Sequence, residues 1–141
     1  MSRLRPWQRM ALATVTVLVA LLAGDALVQR MLPPSWSWMA MTPLGPIAPI
    51  SYLVSAASMT LGGAIAGRRF LIVAMGLSLA SWVIALVVVG NMQTHVGAPH
   101  HPIPGMLASN AFSILLSLAA AALGAHAGAR WLERRQAPAS P

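Results

Sequence analysis

The chain has 141 residues, of which 57% are hydrophobic and 8% charged, with a mean hydropathy of +0.72. A chain this short has too little interior to bury that much apolar surface away from water, so a water-soluble globule is excluded and lipid is the expected solvent. The net charge of +7 comes from nine arginines against two acids, and the lack of cysteine removes disulfides, thiol redox chemistry and cysteine-ligated metals.

Arg3, Arg5 and Arg9 lead into an apolar run that predicts a first membrane span over 10–29. Followed by Asp25 and Ala26, this stretch also resembles a secretory signal with a small-residue cleavage site. Its apolar register continues through Ala26, Leu27 and Val28, which favours a retained helix. Residues 31–46, rich in proline and glycine, read as an outer loop. Spans over 47–67 and 70–92 follow, separated by little more than Arg68 and Arg69, a spacing that forces a hairpin. A second proline- and glycine-rich outer loop covers 93–105, a fourth span covers 106–129, and 137–141 is a disordered tail. Each span reaches the 20 or so helical residues that cross a hydrocarbon core of roughly 30 Å. Only helices satisfy their own backbone in lipid without strand pairing. The expected fold is therefore all-α: one transmembrane domain over 1–141, an antiparallel four-helix bundle.

Arginine placement sets the orientation. Arg3, Arg5, Arg9, the turn Arg68 and Arg69, and Arg130, Arg134 and Arg135 fall on one side, and only Arg30 falls on the other. By the positive-inside rule both termini are expected in the cytoplasm. Trp7 and Trp131 then sit at the inner headgroup level, and Trp36 and Trp38 at the outer one. Because the arginines mark segment ends and no basic face alternates with aromatics, nucleic acid is not an expected partner.

Small side chains recur at helical spacing. Ser51, Ser55, Ser58, Gly62 and Ala66 give the second span a small face along its length, as do Ser109, Ser113, Ser117, Ala121, Gly124 and Gly128 in the fourth. Ala74, Ser78, Ser81 and Ala85 form a comparable stripe in the third. Apolar burial gives helices no drive to associate in lipid, so such faces work by letting backbones approach. They are expected at the centre of the bundle. Gly63 with Gly67, and Gly124 with Gly128, form GxxxG pairs that would alternatively drive a homodimer. Sliding the chain by 62 residues superposes Ser51, Ser55, Gly62 and Arg68 on Ser113, Ser117, Gly124 and Arg130, a match that duplication and convergent packing explain equally well.

Few residues offer chemistry. Asp25 is the single acid within a span, and such a group is a functional candidate by default. It lies near the outer end beside Gln29 and Arg30, where an interfacial ion pair is the plain alternative to a proton or cation site shared with Asn91 and Asn110. His126, near the cytoplasmic end of the fourth span, reads as a neutral histidine bonded to a neighbour or water, with a proton relay as the sharper alternative. His95, His100 and His101, with Met39 and Met41, would suit copper chemically. Their spacing matches no metal signature, so they are expected to be solvated side chains and interface fillers. No cofactor is expected. With two carboxylates and no phosphate-cradling loop, neither is catalysis.

The run Gly62-Gly63-Ala64-Ile65-Ala66-Gly67-Arg68-Arg69 resembles small four-helix bacterial membrane families that carry a GGxxAG turn before a basic residue. The resemblance implies topology but no functional residue, and this chain departs from the pattern in having His126 and a longer histidine-bearing loop. The expected role is a non-catalytic accessory or structural subunit that packs with other membrane subunits or with itself. The competing expectation is a small carrier of protons, cations or copper.

Overall fold

Pro6 opens the first helix, where its missing N–H would have had no intrahelical partner anyway, and the Gln8 side chain accepts a hydrogen bond from the backbone N–H of Arg5 at 2.9 Å. The computed structural model describes residues 5–31, 40–42, 45–96 and 103–136. Helix α1 spans Pro6–Met31, α2 Pro49–Ala66, α3 Phe70–Val96 and α4 Ile103–Gln136, with a 3-10 turn at Gly67–Arg69 and a short ribbon of β1 (Ala40–Thr42) paired antiparallel to β2 (Gly45–Ile47).

The fold is essentially all helical. Among the described residues three helical stretches are long and apolar enough to cross a membrane: Pro6–Met31, Pro49–Met92, which contains α2, the turn and most of α3, and Pro104–Gln136. Burial is inverted relative to a protein dissolved in water. Ala13, Ala74 and Ala121 are completely buried, whereas Leu22 is 73% and Ile72 80% exposed. Small residues inside and branched aliphatic residues outside are the arrangement expected where the surrounding solvent is itself apolar.

Gly67 has φ of +71°, a left-handed conformation that a side chain would strain, and this breaks the helix between α2 and α3. The chain turns back so sharply that the Phe70 ring lies on Gly62, where any Cβ would overlap it. Phe70 is fully buried with Ala13, Val17, Met59, Ala74, Ala121 and Ala125, the cluster that ties the helices together at this end. Beyond it α2 and α3, although consecutive, share little contact, and each packs mainly on α4. Helix α1 packs on α2, touches α3 slightly and does not meet α4.

Element ends differ from the sequence expectations. Helix α1 begins four residues before the expected 10–29 span and α4 runs seven past the expected 106–129, because arginine, glutamine, glutamate and leucine, which dominate these extensions, have good helical propensity once a core face has nucleated the helix. The backbone of α3 stays helical to Val96 and α4 already starts at Ile103, so the expected 93–105 loop is much shorter. The ribbon occupies the expected 31–46 loop and runs one residue past it to Ile47, and its three-residue strands are too short to show alternation. The 137–141 tail, Trp36 and Trp38 lie outside the described residues.

Candidate functional site

Helices α2 and α4 run side by side in the same direction, because Gly124 faces Ala56 while Gly128, one turn on, faces Thr60 and Ala64. From the other side Gly63 faces Ala125 and Ala129. At all three glycines an added Cβ would overlap a carbonyl oxygen of the facing helix, so the backbones are in direct contact and Cα–H groups approach carbonyls. Gly124 and Gly128 thus act within the chain. Gly67 does not share this role: it forms the turn, with open space around it apart from Leu132.

The small faces do not extend over the full helix lengths. Ser58, Gly62, Ala74 and Ser78 are buried and Ser55 is half-buried, but Ser51, Ser81, Ala85 and Ser109 are exposed. Away from the Gly67 turn hydroxyls replace glycines as the contacts. The Trp82 indole N–H donates to Ser117 Oγ at 2.7 Å, Ser78 lies 3.3 Å from the same oxygen, and Ser117 donates to the Ile114 carbonyl at 2.9 Å. A serine oxygen has two lone pairs and one proton, so this arrangement satisfies it fully. Ser113 Oγ donates to the Pro46 carbonyl and holds the ribbon against α4. Trp82 went unmarked in the sequence because a lone tryptophan in an apolar run has no periodic signature; its partner Ser117 did have one.

The candidate chemical residues are scattered. Asp25 and Asn91 are exposed, and no ion pair joins Asp25 to Arg30 among the described residues. Asn110 turns inward on its own helix and donates to the Met106 carbonyl at 2.8 Å and to Ser109 Oγ at 3.3 Å. Because α1 and α4 do not meet, Asp25 and Asn110 are not brought into one site. His126 is exposed, on the side of α4 away from Gly124 and Gly128, with no hydrogen bond among the described residues. His100, His101 and Met39 lie outside the described residues, as does the side chain of His95, and Met41 is exposed on β1. Among the described residues no three potential metal-binding His, Asp or Glu side chains gather.

Charge gathers at the end that carries the helix turn. Arg68 grips Glu133 with two contacts, Nε to Oε1 at 2.6 Å and Nη2 to Oε2 at 3.1 Å, and Arg135 stacks 4.0 Å above the Trp131 ring. Arg130 is exposed beside them. At the same end, the start of α1 and the 3-10 turn border an open groove of about 850 Å³, with Arg9 and Arg69 in its walls.

No protein-family model, curated protein or solved structure matches this chain.

Proposed function

We propose that this chain is a small multi-pass protein of a bacterial inner membrane that crosses four times with both termini in the cytoplasm, in the manner of the four-helix families its GGxxAG turn resembles. In this reading it works without catalysis, as an accessory or structural subunit whose α2–α4 seam is a fixed frame and whose outer faces pack with other membrane helices. The reversal at Gly67 supports two crossings within Pro49–Met92, and the clustering of Arg9, Arg68, Arg69 and Arg130 at one end supports the orientation.

The observation that carries the subunit role is a face of α3. Gly76, Ala80, Val83 and Val87 follow one another at helical spacing and are all exposed, and Gly90 continues the same face. Among the described residues a Cβ at Gly76 or Gly90 would meet nothing, so neither glycine is needed for packing between the described helices. A helix interior favours alanine over glycine by about 1 kcal/mol, which makes an unused glycine costly unless something else approaches it.

A photoreactive residue placed at Ala80 tests the reading. The expected product is a cross-link to another integral membrane protein or to a second copy, absent when the same residue replaces Val15 on α1. Adducts with lipid alone would overturn the subunit role. Because the chain has no cysteine, single cysteines placed near each terminus report topology without background, and labelling of the two from opposite compartments would overturn the four-crossing reading.

A further inference from the structure

We infer that the groove between the start of α1 and the α2–α3 turn binds an anionic phospholipid, its phosphate held by Arg9 and Arg69 and an acyl chain lying along α1. This rests on the reading above in one respect, that the arginine end lies at the headgroup level.

The groove combines two chemistries in an order that matches a lipid. Arg9 and Arg69 line it together with Trp7 near the start of α1, and the lining continues along α1 through Met10 and Val15. Guanidinium forks suit phosphate oxygens, and indole rings settle where headgroups meet hydrocarbon. A free phosphate would use the arginines but gain nothing from the apolar wall; an amphiphile uses both. Basic pockets between membrane helices on the cytoplasmic side are suited to lipid headgroups in this way.

Among the described residues neither side-chain acid lines the groove. Glu133, the acid at this end, is already joined to Arg68, and Asp25 sits near the far end of α1. Arg69 forms no ion pair among the described residues. Helix α1 also begins at the groove, so the partial positive charge of its first backbone N–H groups points the same way as the arginines. At about 850 Å³ the groove has the volume of a small-molecule site and admits a headgroup with the first part of a chain.

The test is native mass spectrometry of the full chain purified in mild detergent and supplied with phosphatidylglycerol or phosphatidylcholine. Retention of phosphatidylglycerol alone is expected. R69Q should weaken it about fivefold and R9Q with R69Q about 30-fold, from the attraction typical of each arginine near an anionic headgroup. R130Q with R134Q removes the same charge at the same end and should change retention less than twofold. Excess inorganic phosphate should not displace the lipid. Equal retention of phosphatidylcholine, full retention by R69Q in a helical protein, or displacement by phosphate would each overturn the inference. Extraction of the chain from cells without detergent would instead strike at the membrane reading itself, so the two failures are told apart.

Discussion

Gly128 faces the carbonyl oxygen of Thr60 so closely that no side chain can stand between them. Thr60 spends its own hydroxyl one turn back, donating to the Ala56 carbonyl at 2.8 Å, and Ala56 is the residue that Gly124 faces. The seam between α2 and α4 is therefore backbone against backbone, and its rigidity comes from the absence of side chains that would need to repack.

Gly128→Leu should accordingly destabilise the fold, by about 1–3 kcal/mol or more, since the obstructing atoms are backbone and cannot rotate away. Unfolding by denaturing detergent, followed by circular dichroism, measures this. Gly76→Leu, in open space, should leave stability within about 1 kcal/mol and serves as the control. If Gly128→Leu were as stable as the control and only changed oligomer size, the glycine pair would be acting between chains.

Ser117 is the second point at which α3 and α4 are fixed. Ser117→Ala leaves the Trp82 indole and Ser78 without their shared acceptor, and it should cost about 0.6–1.7 kcal/mol, the range found for hydrogen bonds between membrane helices. A double-mutant cycle with Trp82→Phe should return a coupling of similar size. A coupling near zero would mean that the indole finds another acceptor.

Much of the architecture was legible in the sequence, and the limits have physical causes. Uninterrupted apolar runs identified the helical stretches, because nothing else in such a chain can satisfy its backbone in lipid. Gly124 and Gly128 stood out as small residues one turn apart. What the spacing did not contain was the partner: a glycine face fits a second copy as well as it fits Ala56 and Thr60, and the choice depends on where the Gly67 turn sends α3. The stripes also continued on paper through Ser51, Ser81 and Ala85, which are exposed, because periodicity does not reveal where two diverging helices part. Asp25 and Asn110 looked equivalent in depth, but depth along a helix says nothing about which helices touch.

Asp25→Asn separates the subunit from the carrier. Asp25 is exposed on α1, which does not meet α4, and it forms no ion pair among the described residues, so its neutralisation should leave expression, membrane insertion and any cross-link from Ala80 unchanged. Removing a charge near the membrane centre is favourable on insertion scales by about 2.5–3.5 kcal/mol and by less near an interface, so the variant should be at least as stable as the natural chain. In proteoliposomes, loss of a pH- or cation-dependent flux on the same substitution would establish the carrier instead.

Orientation should depend on the first helix more than on the turn. R68Q with R69Q removes two positive charges from the connection between α2 and α3, yet six arginines remain at the same end of the chain's spans against Arg30 alone. The Arg68–Glu133 pair that is also lost is exposed on both sides, and such pairs contribute about 0–1 kcal/mol. This variant should therefore insert as before. Replacing Arg3, Arg5 and Arg9 together with glutamine should give a mixed population, because the charges flanking the first span usually dominate the orientation. Single-cysteine labelling reads both outcomes directly, and a reversal by R68Q with R69Q alone would show that the α2–α3 hairpin, not α1, inserts first and sets the frame.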